Sequence, residues 1–335
     1  MDFSRLKAQN RQDGLSGFMR LRNEAEFLAQ SIESWLPLLD ELVIVYNNCQ
    51  DNTGEIAAKY AQRFPEKIKV FHYIPIVYPQ GSEQYKKLAS DDVHSLVHYY
   101  NFALNQTTKK WAIKIDGDLI LSSEKVPVLR QYYQDLSQNY PNDVLPVSGI
   151  NLIDHHKQLF VSTSSPYCGL HGDLCLFRVD EDSFFIKTTE TEHLDLSKRH
   201  KRKNVFAYYH LKFMKNDFGV GNYELKQNRH SVYLPKTIVF LMKLHLLPLQ
   251  NILFETQMPD VDLAYFGLNR TRDYQKEAMS YLEQQFDLFP LALLTAELDA
   301  YEQRMQQQEY INRKNKRWQN RLKRQFKKWM NWKLK

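Results

Sequence analysis

Two carboxylates one residue apart, at the end of an apolar run, are the residues in this chain best placed to do chemistry. Trp111-Ala-Ile-Lys-Ile-Asp-Gly-Asp118 delivers Asp116 and Asp118 after a stretch of strand length. Paired acids there can hold a divalent cation through oxygen ligands, and the cation can carry a pyrophosphate. Ligands of open α/β sheets bind just beyond the carboxyl ends of strands, and Gly117 lets the backbone turn sharply at no steric cost. The pattern is common, however. Asp180-Glu-Asp182 and Asp260-Val-Asp262 repeat it without a clear buried strand before them, and a surface turn is the plain alternative reading. His155-His156 invites a metal too, but adjacent side chains on a strand point to opposite faces and do not easily grip one ion.

The elements that must position Asp116 and Asp118 alternate. Leu15–Leu21 reads as a first strand, followed by a helical pattern through Phe27, Leu28, Ile32 and Trp35 that Pro37 stops. Leu42–Tyr46 is a second, β-branched strand, and a polar loop leads from it into a helix over 54–63. Ile68–Tyr73 is a third strand, a helix spans about 93–104, and the fourth strand ends at Asp116. Strands alternating with helices predict a parallel sheet with right-handed crossovers. A nucleotide-sized crevice is expected at the ends of the first, second and fourth strands.

Arg22-Asn-Glu24, the strand Leu42–Tyr46 with Asn48-x-x-Asp51-Asn-Thr53, then Tyr100-Asn-Phe-Ala-Leu104 and Ile115-Asp-Gly-Asp118 resemble the nucleotide-sugar half of GT-A glycosyltransferases. The likeness is closest to glycosyltransferase family 2 and covers roughly residues 15–125 in order. It implies an α/β fold, a GT-A (Rossmann-like) mostly parallel sheet flanked by helices. It also implies a hexosyltransferase with a nucleotide-sugar donor, UDP-hexose first among them, and Mn2+ or Mg2+ on the diphosphate. Carried over, Asp118 ligates the metal, Asp116 approaches the ribose or the metal, and Arg22 and Glu24 sit beside the nucleotide. Such proteins commonly carry an acid after the second strand to contact the base, where this chain has Asn47 and Asn48. An asparagine carbonyl can still accept the N3–H of uracil. Asn47, Asn48 and Asp51 are therefore candidate nucleotide contacts, with an Asx-rich turn capping the next helix as the alternative.

In the second half, the resemblance implies an acceptor site backed by the glycine-containing turn into Leu174-Cys-Leu-Phe-Arg178, with His171 and Asp173 at its mouth. Thr188–Asp195 falls where inverting members keep an acidic base. Glu190 and Glu192 both qualify, Glu192 being favoured, with a charged helix start as the alternative, and Asp173 is counted with them as a candidate catalytic carboxylate. Val205–His210 ends in an imidazole where a late histidine completes the metal site of GT-A enzymes, so Asp118, Asp116 and His210 form the expected metal set. Lys212 and Lys215 follow in a segment resembling the loop over the donor diphosphate.

Composition divides the 335-residue chain. Hydrophobic residues at 43% and charged ones at 25% describe a globular protein. Three cysteines imply no disulfide framework, and the first residues lack the apolar core of a signal peptide, so a reduced, cytosolic protein is expected. Residues 311–335 hold 11 Lys/Arg and no Asp/Glu, which leaves 34 basic against 39 acidic groups elsewhere. Trp318, Leu322, Phe326 and Trp329 fall on one face of a helix there, the pattern of an interfacial anchor on anionic lipid. The expected organisation is a catalytic domain over 1–235, a helical extension over 236–310 and a basic amphipathic helix over 311–335. The expected setting is the inner face of the cell membrane, the acceptor a glycolipid or surface-polysaccharide (lipopolysaccharide-type) precursor, and no nucleic acid. Phosphatases with a similar acid pair want Thr or Val where Ile120 stands. Sugar nucleotidyltransferases need a glycine-rich loop that Arg20-Leu-Arg-Asn-Glu24 lacks. The rival outside enzymes is a membrane- or nucleic-acid-binding adaptor with a catalytically degenerate α/β domain.

Overall fold

The structure, a computed structural model, describes residues 6–164, 170–188, 192–251 and 258–285, together with 300, 303 and 307. Its first part alternates as the apolar runs dictate: β1 (Gln12–Leu21), α1 (Ala25–Trp35), β2 (Glu41–Tyr46), α2 (Thr53–Arg63), β3 (Ile68–His72), α3 (Glu83–Lys87), α4 (Leu96–Asn105) and β4 (Lys109–Ile115). Then come β5 (Leu119–Leu121), α5 (Val126–Asn139), β6 (Asp143–Asn151), a hairpin of β7 (Ile153–His155) and β8 (Gln158–Ser162), and β9 (Leu170–Arg178). A second hairpin pairs β10 (Phe185–Lys187) with β11 (Glu192–Leu194), ahead of β12 (His200–Lys201) and β13 (Val205–His210). Next come α6 (Tyr233–Met242), β14 (Leu246–Pro248) and α7 (Tyr274–Gln285).

The central sheet runs β3-β2-β1-β4-β9-β6-β13-β5, with β12 beside β6. β1 to β4 are mutually parallel; β9 is antiparallel to both β4 and β6, and β13 is parallel to β6. Side-chain alternation along β1 and β4 divides the core. Leu15, Met19, Trp111, Ile113 and Ile115 bury against α1, α2 and α5, while Phe18 and Ala112 bury against α4. Arg20 and Lys114 share the α4 face by the same parity.

β5 follows β4 by only three residues yet pairs with β13 at the far edge of the sheet. A flat sheet would set those strands four spacings apart, ~19 Å at about 4.8 Å each. The four residue steps from Ile115 to Leu119 reach at most ~14 Å. The sheet therefore curls on itself, and Asp116-Gly-Asp118 bridges the gap.

The chain divides into two compact units, Met1–Gln285 and Phe286–Lys335. The residues after 235 begin inside the first unit: Phe240 of α6 stacks on Phe213 at 5.0 Å and β14 pairs with β8. Within the stretch expected to be a helical extension, α6 stops at Met242, where Lys243 and His245 interrupt the apolar run and the edge of β8 takes up the chain. The basic stretch 311–335 lies outside the described residues. Among the described residues no helix is long and apolar enough to cross a membrane.

Candidate active site

Helix α1 fixes the bridge that carries the two acids. Ser31 Oγ donates to the Asp116 carbonyl at 3.2 Å, Trp35 Nε1 to the Leu119 carbonyl at 2.9 Å, and the Leu121 amide to Ser34 Oγ at 3.0 Å. Gly117 serves differently from the expectation. It does not adopt a positive φ; instead a Cβ there would lie 2.8 Å from Glu24 Cβ and 3.0 Å from Leu21 Cδ2. The glycine is needed for close packing under the first strand's exit, not for a left-handed turn.

Asp118 is the centre of a buried charged cluster. Its Oδ1 lies 3.3 Å from His210 Nε2 and its Oδ2 2.8 Å from Lys215 Nζ, with the three side chains only 5–8% exposed. Lys215 Nζ also meets Glu24 Oε2 at 2.5 Å. Burial opposes every charge here, and the partners decide the outcome. Lys215 and His210 hold the Asp118 carboxyl well below the usual carboxylate range. Burial pushes Glu24 up to about 8 even with Lys215 beside it. Asp118 and Glu24 keep the Lys215 ammonium charged well above its ordinary range despite burial. Lys212 donates to Tyr223 Oη at 2.7 Å, and Tyr223 with Asp118 outweighs its burial and raises its pKa.

Asp116 points elsewhere: its Oδ2 pairs with Lys114 Nζ at 3.2 Å. Lys114 and Arg20 both lie over the ring of Tyr100, at 5.5 and 4.6 Å, and Arg20 Nη2 donates to Tyr100 Oη at 3.0 Å. Glu192 stands across the same cleft. It opens strand β11, not a helix, and receives a hydrogen bond from Gln80 Nε2 at 3.2 Å. Its hairpin is clamped to α4 by Asn101, which donates to the Phe185 carbonyl at 3.0 Å and accepts from its amide at 2.7 Å. Burial pushes the Glu192 carboxyl up to about 7, against the pull of Arg20 and Lys114.

These groups line one cleft of about 660 Å³, which holds Asp116, Asp118, His210, Lys212, Lys215, Glu24, Arg20, Glu192 and His171. A side chamber of about 90 Å³ shares Arg20, Glu24 and Gln80 with it and reaches Arg22, Asn47 and Tyr99. The crevice thus opens where the first, second and fourth strands end.

Of the other expected nucleotide contacts, Asn47 and Asp51 hold the protein together. Asn47 is buried and spends its amide on backbone, donating to the carbonyls of Tyr73 (2.6 Å) and Pro75 (2.7 Å) and accepting from the Val77 amide (3.3 Å). It walls the side chamber, but its carbonyl already has a partner. Asn48 is exposed on a left-handed turn at φ +42°. Asp51 gives both carboxylate oxygens to the fold, accepting from the Thr53 amide (3.1 Å) and hydroxyl (2.6 Å) and from the Ala25 amide (3.0 Å). This is the Asx-turn alternative, and it laces the first loop to the second. Arg22 lines the side chamber and forms an ion pair with Glu224.

His171 does not stand free at an acceptor mouth: its ring lies 4.2 Å from that of His210 and its Nδ1 is 2.7 Å from Tyr208 Oη. Asp173 belongs to β9, but its side chain, like all of Glu190, lies outside the described residues. The two other Asp-x-Asp runs are turns. Asp180 accepts from Ser183 Oγ and pairs with Arg199, and Asp262 caps a 3-10 turn through the Tyr265 amide. His155 and His156 have rings 4.1 Å apart, contrary to the alternation argument, because His156 has left the strand at φ +47°. Arg20, Lys114, Gln80 and Asn151 were missed. The signal for the first two was a cation at an inward position of an otherwise apolar strand.

Among the described residues no group of three or more His, Cys, Asp or Glu side chains is placed to hold a metal ion. The Asp118–His210 pair nevertheless fits one held jointly with a ligand. One buried carboxylate oxygen and one imidazole nitrogen converge at the cleft wall, a mixed oxygen–nitrogen pair that phosphate oxygens would complete around a divalent cation such as Mn2+.

The family model for beta-1,4-N-acetylgalactosaminyltransferase (CgtA) matches residues 8–230, which contain the whole cluster. The chain belongs to this family. It is a glycosyltransferase, built on a mostly parallel α/β sheet flanked by helices. No curated protein matches the sequence. Among solved structures it is similar to S. aureus TarS 1-349, at 14% identity over 81% of this chain and 72% of that one, with a TM-score of 0.37. A second TarS structure, in complex with UDP, matches at 13% identity over 82% and 72%, with a TM-score of 0.36. Glucosyl-3-phosphoglycerate synthase from Mycobacterium tuberculosis, in complex with Mn2+, UDP and phosphoglyceric acid, matches at 18% identity and a TM-score of 0.30. That match covers 44% of this chain and 47% of the synthase, so the chain spans under half of that protein.

Proposed function

We propose that this CgtA-family chain transfers a hexose or N-acetylhexosamine from a UDP-sugar to an acceptor hydroxyl with inversion, in a reaction that needs Mn2+ or Mg2+. The observation that carries the reading is the meeting of two sets of groups in one cleft. Asp118, His210, Lys212 and Lys215 suit a diphosphate with its cation, and Glu192 with Arg20 and Lys114 suits proton removal beside it. Asp118 and His210 would hold the cation, and Asp116 would lie toward the ribose. When bound, the cation supplies charge stabilisation to the departing diphosphate.

The residues themselves do the rest. Lys215 and Lys212 remain ammonium ions and offset the charge that grows on the leaving group. Glu192 takes the acceptor proton as the hydroxyl oxygen attacks the anomeric carbon from the side opposite the diphosphate. Glu190 remains the second candidate for that task. The activity for which the family is named makes UDP-N-acetylgalactosamine the first donor to test, ahead of other UDP-hexoses. The acceptor is proposed to be a glycolipid or surface-polysaccharide precursor, and residues 311–335 to dock reversibly on anionic lipid at the inner membrane face. The support for docking is the basic aromatic pattern of that stretch alone.

The test is a screen of sugar nucleotides in Mn2+, reading both the shift in Tm and the free nucleotide released. A UDP-sugar is expected to raise Tm and to yield UDP. Asp118→Asn should lower kcat/KM at least 100-fold while circular dichroism stays native. No shift with any sugar nucleotide, or near-normal transfer by Asp118→Asn, would sink the proposal.

A further inference from the structure

The ring of His210 is held by more than its place in a strand. His210 and Asn151 are register partners in the parallel pair β13–β6, and the Leu152 amide donates to the His210 carbonyl at 3.0 Å. On the other side, the Leu211 amide donates to the Asp118 carbonyl at 2.9 Å. Backbone bonds thus tie Asn151, His210 and Asp118 into one row. Within it His210 Nδ1 lies 2.7 Å from Asn151 Oδ1, with both residues buried, and Nε2 faces Asp118 Oδ1 at 3.3 Å. The His171 ring, anchored through Nδ1 to Tyr208 Oη, packs at 4.2 Å and limits rotation of the His210 ring.

We infer that Asn151 is a positioning residue that holds the His210 ring through Nδ1 and thereby sets how tightly the Asp118–His210 pair holds a divalent cation. The inference rests on the proposed cation role of that pair. An oxygen acceptor at Nδ1 requires the proton to be there, and a neutral ring then presents a bare lone pair at Nε2. Two acceptors 3.3 Å apart repel each other unless a cation joins them. With the Asn151 amide turned over, its Nδ2 donates to a bare Nδ1 and the proton moves to Nε2, which then donates to Asp118. An asparagine therefore serves both forms, one closed by a hydrogen bond and one open to the ion. No proton leaves the ring when the two exchange. An aspartate would accept only, and leucine would do neither. Metal-bound histidines usually donate their second nitrogen to such a partner, and losing it costs about 10–100-fold in affinity.

The experiment measures Mn2+ binding to the full chain by loss of the free-ion paramagnetic resonance signal at pH 8, with and without UDP. Wild type, Asn151→Leu and Asn151→Asp are compared, with circular dichroism as the folding control. Asn151→Leu should weaken Mn2+ binding about 10–100-fold, while Asn151→Asp stays within about threefold of wild type. Equal binding by a folded Asn151→Leu overturns the inference and leaves the cation reading intact. Failure of wild type to bind Mn2+ even with UDP overturns the cation reading, and this inference with it. Should Asn151→Leu not fold, long-range 1H–15N spectra of wild type with Mg2+ and UDP decide. Protonated Nδ1 and bare Nε2 on His210 support the inference, and protonated Nε2 overturns it.

Discussion

Replacing Glu192 by glutamine should make the protein more stable and less active at once, with both effects tied to one pH range. Burial raises the Glu192 carboxyl from 4.5 to about 7. That rise is worth on the order of 3 kcal/mol at 1.36 kcal/mol per unit. Because the folded value is raised, the fold favours the protonated acid. Its stabilising contribution is complete below about pH 4.5 and is lost as the pH climbs through 7. Glutamine, which cannot ionise, escapes that loss. Glu192→Gln should therefore match wild type in Tm near pH 4.5 and exceed it by a few degrees at pH 8. The proposed base is charged only above its raised pKa, so kcat/KM of wild type should fall on the acid side with a midpoint near 7. The glutamine variant should lose ~10²–10⁴ in rate, and this acid limb should vanish from what remains. Paired thermal melts at the two pH values and a kcat/KM profile from pH 5.5 to 9 supply the data. A variant less stable than wild type at pH 8 would refute the electrostatic argument. Survival of the same limb would show that another group, such as Glu24, produces it.

Arg20→Met should move that acid limb upward by about one unit or more, since an opposite charge nearby is lost; an unmoved limb would mean that Arg20 does not act on Glu192. Gly117→Ala should cost ~1–3 kcal/mol through overpacking against Glu24 and Leu21, read as a lower urea midpoint with a raised KM for the donor. Deleting residues 311–335 should abolish sedimentation with anionic liposomes. Wild-type binding to neutral and anionic vesicles alike would contradict an electrostatic anchor.

The donor half of the fold was legible because its strands are apolar runs whose period and order leave few alternatives. β1 to β4 and α1, α2 and α4 stand within a few residues of where periodicity puts them. Asp118, His210 and Lys215 were also legible, each lying at or just past a strand end. What the sequence hides is the curl of the sheet, which brings the ends of β4, β6 and β13 together across long chain separations. Asn151 could not be picked out without that register, nor could the clamp of Asn101 on the hairpin that carries Glu192. The loop residues Asn47 and Asp51 were ambiguous for a related reason. Polar side chains beside a nucleotide crevice can face the ligand or fasten its walls, and their types alone do not distinguish the two.

The short span from β4 to β5 has a mechanical consequence. A strut of a few residues, pinned by Ser31, Ser34 and Trp35 of one helix, ties strands on opposite sides of the crevice. The two halves of the sheet cannot swing apart like jaws without tearing those bonds. The chain just after β13 is fastened to the same frame: Phe213, Met214 and Lys215 are buried, and the Asn216 amide donates to Glu26 Oε2.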